Sequence, residues 1–312
     1  MLNLIQNEWM KLWAKKGTWV MTILLIISVI GLMGLTKWIN NQDRTEATDW
    51  KSNAQEQINY TKEALELDLP EMERKQNEET VKVLEYRLAN NIPPLAVDGR
   101  ESLIINPVGV GSFVVLLTVI AAAGIVASEF SQGTIKMLLT RPVSRWKIMT
   151  SKYITVLFFG ILLMCIGFAV TVISAYILFP SGAGQELKLV GNAIVPVSVW
   201  GHGLYMLILS FANVLITATF AFMIGSVFRS NGMAIGLSLF IFFTGNTIAL
   251  LLSQYEVAKY LVFTHMNLTM YETNSVFVDG ITMPFSLVVL AVYIVIFLVI
   301  SYTVFTKRDI TA

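Results

Sequence analysis

Side chains that commonly carry catalysis are sparse in this sequence. Its 312 residues include two histidines, His202 and His265, and one cysteine, Cys165. Metal sites in proteins usually need three or four converging ligands, so two histidines far apart in sequence predict no metal centre. The sequence also contains no G-x-x-x-x-G-K-[ST] phosphate loop, no H-E-x-x-H and no G-x-S-x-G motif. We therefore expect no catalytic residues, and no cofactor bound by this chain.

The residues best suited to binding lie in one short basic stretch, EFSQGTIKMLLTRPVSRWKIMTSKY, which runs from Glu129 to Tyr153. Ile135, Leu138 and Leu139 follow the spacing i, i+3, i+4 and predict an apolar stripe on a helix of about two turns. A helix this short is not stable alone in water. Its stripe must therefore bury against the bilayer surface, the rest of the protein or a partner, and the residues alone leave these alternatives open.

The ends of this short helix are also marked in the sequence. A serine before the stripe is expected to cap it, with Glu129 near the positive end of the helix dipole. Arg141 precedes Pro142, which disfavours helical backbone at Arg141 and predicts that the helix stops there. Ser144 is then expected to cap a second helix that continues into the next apolar run. Anionic lipid or an acidic partner surface would suit the basic side chains of this stretch, Lys136, Arg141, Arg145 and Lys147.

Long apolar runs surround the basic stretch and must position it. The chain is 55% hydrophobic and 14% charged, whereas soluble domains carry about a quarter charged residues. Several runs reach the roughly 20 residues that a membrane-crossing helix needs. We predict an all-α membrane protein with six transmembrane helices, at Thr18–Leu35, Ile105–Ala127, Ile154–Phe179, Val199–Val227, Met233–Leu252 and Phe285–Phe305.

Basic residues predict how these spans are oriented. Eleven of the 22 lysines and arginines precede the first span, follow the last, or lie between spans 2 and 3 or spans 4 and 5. The short loops on the other side hold only Lys188 and Lys259. The positive-inside rule then places both termini in the cytoplasm. No charged residue falls within a predicted span, so an ion-coupled energy source is not expected within the chain.

The remaining segments complete the predicted organisation. Residues 1–16 place Trp9, Leu12 and Trp13 at helical spacing, which predicts either an interfacial helix at the cytoplasmic surface or a helical extension of span 1. Span 1 lies within 17–36, an extracytoplasmic helical region covers 37–102, and 103–312 hold spans 2–6 with the basic stretch at 129–147. Small residues in the spans, Gly124, Gly232 and Gly236, predict close helix packing.

The basic stretch resembles a segment of type-2 ABC transporter permeases, E-x-x-x-G-T-[IL]-[KR]-x-L-L-[ST]-[RK]-P-[VI]-S-R. These permeases are the membrane subunits of exporters in Gram-positive bacteria. An N-terminal interfacial helix and six spans with cytoplasmic ends are similar to that family as well. The matching positions are Glu129, Gly133, Thr134, Ile135, Leu138, Leu139, Arg141, Pro142, Ser144 and Arg145.

The resemblance implies a function and a set of partners. The stretch at 129–147 would be a coupling helix that inserts its apolar stripe into a separate ATPase subunit. A complete transporter would hold two cytoplasmic ABC ATPase subunits, which bind ATP and Mg, and a second permease chain, identical or homologous. The chain would contact membrane lipids in the bacterial plasma membrane, with no nucleic acid as a partner. The expected function is that of a transmembrane permease subunit of an ATP-driven exporter.

A second function fits the same residues. The outer helical region could bind a peptide or a stress signal, which would make the chain a non-transporting sensor or immunity protein. An ATPase partner is compatible with both functions, and only substrate movement linked to ATP turnover separates them.

Overall fold

Six long apolar helices dominate the protein. A computed structural model describes residues 1–42, 50–67, 71–107, 109–134, 143–191, 193–228, 230–273, 275–278 and 280–307. Within these ranges six helical segments are long and apolar enough to cross a membrane, which confirms the predicted all-α, multi-pass membrane fold. They are Lys16–Gln42, Arg100–Ser131, Arg145–Leu178, Val199–Val227, Asn231–Leu251 and Met283–Lys307.

The described elements follow one another in a mostly helical order. The helices are α1 (Leu2–Ala14), α2 (Lys16–Gln42), α3 (Trp50–Leu65), α4 (Glu71–Asn90), α5 (Arg100–Ile105), α6 (Val110–Ser131), α7 (Arg145–Leu178), α8 (Val199–Val227), α9 (Asn231–Leu251), α10 (Val262–His265) and α11 (Met283–Lys307). Two strands, β1 (Leu187–Val190) and β2 (Ala193–Pro196), lie between α7 and α8. Short 3₁₀ helices at Glu256–Tyr260 and Leu268–Tyr271 flank α10.

The N-terminal helix is separate from the first span. Helix α1 ends at Ala14, Lys15 has extended backbone, and α2 begins at Lys16. The Thr18 hydroxyl donates to the Leu12 carbonyl at 2.5 Å, and so satisfies one of the carbonyls that a helix end leaves unpaired. Of the two structures predicted for residues 1–16, the continuous extension of span 1 is therefore wrong.

Several helices extend beyond the predicted spans. Helix α8 has the predicted bounds, but α6 runs to Ser131, and α7 begins at Arg145, so the helix predicted to follow Ser144 and the span predicted from residue 154 are one helix. Both longer helices take in charged residues that hydropathy places in loops, Glu129 and Lys152. These charges remain inside helices because they are paired with other charges.

Contacts divide the chain into two units, the first of which comprises Met1–Ile27, Gly109–Gly167 and Ile208–Ala312.

Close helix approach in this first unit depends on glycines that the sequence analysis did not single out. A methyl group on Gly225 of α8 would collide with the carbonyl of Ala123 in α6. One on Gly160 of α7 would lie 2.9 Å from Cγ1 of Val214 in α8. Helix α8 therefore packs directly against the backbone of α6, and a side chain of α8 packs against the backbone of α7 at Gly160.

The three glycines chosen from the sequence differ in their surroundings. A methyl group on Gly124 would lie 3.3 Å from the Asn231 side-chain oxygen, so α6 and α9 approach each other here. At Gly232 and Gly236 it would meet no atom within 4 Å among the residues that the structure describes. These two glycines face open space, so their spacing does not mark a contact between helices of one chain.

The second unit, Ser28–Val108 with Phe168–Leu207, contains the predicted helical insertion and an unpredicted hairpin. Helices α3 and α4 pack against each other, and Lys62 pairs with Glu85 across them at 2.7 Å. Strands β1 and β2 are antiparallel, with Leu187 opposite Pro196 and Val190 opposite Ala193. Gly191, in a left-handed conformation, helps the chain turn between them.

Arg87 fixes the end of α4 to the chain beside this hairpin. Its side chain is 5% exposed. It donates to the carbonyls of Pro93 at 3.2 Å and Gln185 at 2.6 Å, and its guanidinium lies 3.6 Å from the Glu186 carboxylate. Burial raises the pKa of Glu186, and the charge of Arg87 partly opposes that rise. Loss of the guanidinium would leave these two partly buried carbonyls without this donor.

We expect Arg87→Met to destabilise the second unit by about 1.5–3 kcal/mol, the usual range for hydrogen bonds made by a charged group. Amide hydrogen exchange across α4 and the hairpin measures this directly. Lys62→Met is the matched control, because both partners of that ion pair are about half exposed and such pairs contribute little. Equal protection in the two variants would contradict the role assigned to Arg87.

Candidate functional site

A group of four charged side chains, three of them largely buried, joins three helices of the first unit. Glu8 and Lys11 lie on α1, Glu129 lies on α6 and Lys152 lies on α7. The Lys152 ammonium lies 2.7 Å from the Glu8 carboxylate and 2.9 Å from the Glu129 carboxylate. Lys11 pairs with the same two carboxylates, at 3.0 and 3.5 Å. We call these four residues the charge cluster.

Burial makes the charge cluster interdependent. The exposed fractions of the side chains are 1% for Lys152, 7% for Glu8, 13% for Glu129 and 40% for Lys11. Two ammonium groups balance two carboxylates, so the cluster is neutral as a whole. An ion removed from water in this way is tolerated only while its counter-ions remain in place. Loss of any one buried member therefore leaves another without compensation.

The sequence of α1 explains how two members reach the cluster. Glu8 and Leu12 are one helical turn apart and are the buried residues of this helix. Lys11 lies three residues after Glu8, which places its ammonium beside the same carboxylate. Trp13 fixes the adjacent face, since its ring packs edge-on against Phe159 of α7 with centroids 6.2 Å apart.

The basic stretch begins directly at the charge cluster. Helix α6 ends at Ser131, and Gly133 follows with a φ of +71°, in the left-handed region where glycine is favoured. The chain turns back there, and the Thr134 hydroxyl donates to the Glu129 carboxylate. The Glu129 carboxylate therefore accepts hydrogen bonds from both the Thr134 hydroxyl and the Lys152 ammonium. Glu129 lies in the last turn of α6, where its charge is paired rather than solvated. The sequence interpretation that put it at the start of a separate short helix is therefore wrong.

The far side of the basic stretch is attached to α11. Helix α7 begins at Arg145, directly after Ser144, as predicted. The Arg145 guanidinium donates to the carbonyl of Thr306 at 2.9 Å. One turn further along α7, the hydroxyl of Thr150 is hydrogen-bonded to that of Tyr302 at 2.7 Å. The beginning of α7 and the end of α11 are therefore held together.

The structure brings only part of the predicted binding residues together. Glu129, Gly133 and Thr134 form one turn, and Arg145 lies at the start of α7. The middle of the stretch, Ile135, Leu138, Leu139, Arg141 and Pro142, lies outside the described residues. The predicted stripe therefore remains a sequence-based prediction.

The tryptophans and leucine predicted for the N-terminal helix contact the protein on different sides. Leu12 is 5% exposed and lies beside the charge cluster. The ring of Trp9 lies 5.9 Å from that of Trp13 and borders an apolar groove between α1 and α7. All three therefore take part in packing α1 onto the helices.

Sequence reasoning missed Glu8, Lys11 and Lys152 as functional candidates. Lys11 and Lys152 entered only the count of positive charges that predicted the orientation of the spans, and Glu8 carried no prediction. A partial signal was present, since Glu8 and Lys11 have the i, i+3 spacing of an intrahelical ion pair. The pairing with Lys152, 144 residues away in sequence, had no local signal.

A second buried polar group surrounds His265, which is 0% exposed. Its Nε2 lies 2.8 Å from the Lys259 carbonyl, so this nitrogen carries the hydrogen. Nδ1 then accepts from the Ser286 hydroxyl at 2.6 Å, and Ser286 accepts from Tyr271 at 2.5 Å. Ser286 is also fully buried. These hydrogen bonds join α10 to α11 and to the two flanking 3₁₀ helices.

Comparisons with known proteins give a family and two relatives. The sequence model of a family described as "Protein of unknown function (DUF2705)" matches residues 83–311. The chain is 36% identical over 315 residues to the uncharacterized protein YhcI of Bacillus subtilis, covering 99% of each chain. It is also 28% identical over 199 residues to the uncharacterized membrane protein YdbK of the same organism, covering 62% of this chain and 76% of YdbK.

These matches correct the family suggested by the basic stretch. The matching family is not that of the type-2 ABC transporter permeases, so that assignment is wrong. Local structure accounts for part of the likeness. Gly133 is suited to the left-handed end of α6, and Thr134 binds back to Glu129. Such a turn is useful to any helix that ends beside a buried charge.

We expect Lys152→Met to destabilise the protein by about 3–5 kcal/mol, because it leaves Glu8 and Glu129 buried without their ammonium. Thermal unfolding of the purified protein in detergent measures the change. Lys147→Met on the same helix is the control, because Lys147 is exposed, and its effect should stay within about 0.5 kcal/mol. Similar midpoints for the two variants would show that the cluster does not hold these helices.

We expect acidification to weaken the region around His265. Burial lowers the pKa of His265 below its usual value, so the unfolded chain binds more protons below about pH 6.5. The free energy of unfolding then falls by up to about 1.4 kcal/mol per pH unit on further acidification. Unfolding midpoints measured from about pH 7 to about pH 5.5 should fall more steeply for the wild type than for His265→Gln. An equal dependence of the unfolding midpoint on pH in the two proteins would contradict the assignment of this effect to His265.

Proposed function

We propose that this chain, which belongs to the family described as protein of unknown function DUF2705, is the transmembrane permease subunit of an ATP-driven exporter. A separate ATPase subunit binds residues 129–147 and hydrolyses ATP. Its movement displaces the attached helices and drives export of a substrate across the plasma membrane.

One observation carries the proposal. Both flanks of residues 135–142 are attached by side chains to the ends of long helices. On the leading side, Glu129 connects Thr134 with α1 and α7 through the charge cluster. On the trailing side, Arg145 attaches to the end of α11. A subunit that grips the intervening segment would therefore move several membrane helices together rather than bend a free loop.

The distribution of charge favours an external energy source. The central parts of the six long helices carry no Asp, Glu, Lys or Arg. Proton and sodium-coupled carriers generally need such groups at membrane depth. The most deeply buried ammonium, that of Lys152, is already compensated by two carboxylates. Energy that arrives as motion from a bound ATPase requires no titratable group inside the membrane.

The proposal includes a membrane topology and partners. Both termini and the basic stretch are cytoplasmic, and α3 and α4 lie outside the bacterial plasma membrane. Two ATPase subunits hold ATP and Mg, and a second permease chain, identical or homologous, completes the transporter.

A sensor or immunity protein is the second candidate. The observation in its favour is the firm attachment of α4 through Arg87, which would suit a rigid surface for binding a peptide. ATP-dependent movement of a compound across a vesicle reconstituted with both subunits distinguishes the exporter from the sensor.

The direct test is purification of the tagged chain from its native host in gentle detergent, followed by mass spectrometry of co-eluting proteins. We expect a soluble ATPase with a phosphate loop. Leu138→Asp should reduce its recovery at least about tenfold, because an unpaired charge in a buried apolar stripe costs well over the 1.4 kcal/mol that corresponds to this factor. Thr140→Asp is the control, since Thr140 lies on the opposite face of the predicted helix.

Three results are informative. Loss of the ATPase with Leu138→Asp and its retention with Thr140→Asp support the proposal. Equal recovery with both variants would place the binding surface elsewhere. Absence of any ATPase, even after crosslinking, would overturn the proposal and leave the basic stretch as a surface that contacts lipid.

A further inference from the structure

A cavity of about 380 Å³ lies beside the charge cluster, between α1, α6 and α7. Its volume falls in the range of small-ligand pockets in proteins. Three ammonium groups line it, those of Lys11, Lys15 and Lys152. Further polar side chains in its wall are Ser128, Glu129, Gln132 and Thr134, and the Glu8 carboxylate completes the charged lining.

The charges that line this cavity do not balance. Lys11 and Lys152 are paired with the carboxylates of Glu8 and Glu129. The positive charge of Lys15 is therefore not balanced by a carboxylate of the cluster. Within the described part of the chain no carboxylate forms an ion pair with Lys15, and its ammonium lies 3.5 Å from the Ser128 hydroxyl. Lys15 is exposed at the edge of the cavity, so an anion can reach its ammonium from outside. A bound anion would balance this charge.

The location of the cavity indicates where such an anion comes from. Lys15 directly precedes α2, whose apolar sequence begins at the next residue. The ends of membrane-crossing helices lie at the level of the lipid headgroups, where tryptophans are enriched. Trp13 and Trp19 meet here, with ring centroids 5.0 Å apart, and Trp19 is 56% exposed. The cavity therefore opens where phosphate groups of lipids are concentrated.

Helix α1 also borders an apolar groove of about 540 Å³ that it forms with α7. Leu2, Ile5 and Trp9 line it from α1, and Phe158 and Leu162 do so from α7. Surfaces of this kind are covered by acyl chains in a bilayer. The same helix thus contacts both the polar cavity and a surface suited to lipid tails, which favours a lipid phosphate over a phosphate free in solution.

We propose that this cavity binds the phosphate of an anionic phospholipid, with Lys15 as its principal contact. The lipid would neutralise the fifth charged group next to the charge cluster and fasten α1 to α6 and α7. This inference does not depend on an ATPase partner, so it can fail or succeed independently of the exporter proposal.

The test is a titration of phosphatidylglycerol into the full-length protein in a zwitterionic detergent, read as the rise in unfolding temperature. We expect Lys15→Gln to weaken the apparent affinity about fivefold, since a basic residue near an anionic lipid surface contributes about 1 kcal/mol. Lys16→Gln is the matched control. It removes the same charge one residue later, at a position that does not line the cavity, and should leave the affinity unchanged.

Each outcome of the titration either supports or overturns the lipid proposal. A loss specific to Lys15→Gln, with phosphatidylcholine giving no stabilisation, supports the lipid site. Equal losses for Lys15→Gln and Lys16→Gln would mean diffuse attraction to the surface and would overturn the proposal. Stabilisation by inorganic phosphate to the same extent as by phosphatidylglycerol would assign the cavity to free phosphate and overturn the lipid source. No stabilisation by either probe would show that the cavity holds no phosphate.

Discussion

The buried ammonium of Lys152 is the constraint on which the rest of this site depends. A buried ion pair is not by itself a strong source of stability, because desolvation cancels much of the attraction. Its effect here is on geometry. The carboxylates of Glu8 on α1 and Glu129 on α6 both lie within 2.9 Å of the same nitrogen on α7, so these contacts restrict how α1 can sit against the two helices. An apolar core alone would let these helices slide or rotate at little cost.

The start of the basic stretch is linked to this buried ammonium through Glu129. Glu129 is at once a counter-ion of Lys152 and the acceptor for Thr134, the last described residue before the predicted stripe. Under the exporter proposal, a force applied to the stripe would be transmitted to charges that cannot separate without exposing an uncompensated ion. Arg145 ties the other flank to α11.

Hydropathy was sufficient to find the six spans because long apolar runs are its strongest signal, and it gave the bounds of α8 correctly. Hydropathy failed to predict the helix ends where charged residues are paired. Glu129 and Lys152 resemble loop residues in the sequence, and only the structure shows that they form ion pairs in a cluster with Glu8. The β-hairpin was overlooked although Gly191, before Asn192, is a typical turn residue between apolar strands. At Gly232 and Gly236 the spacing indicates that close packing is possible, and no other helix of the described part of this chain fills that space.

The most direct measurement is a double-mutant cycle between Glu8→Gln and Lys152→Gln, using the free energy of unfolding from reversible titration with a denaturing detergent. Glu8 lies on α1 and Lys152 on α7, so their coupling energy reports whether the cluster joins these helices. We predict a coupling of at least about 1 kcal/mol. Effects that add to within about 0.5 kcal/mol would show that the two residues act independently, and would contradict transmission of force through the charge cluster.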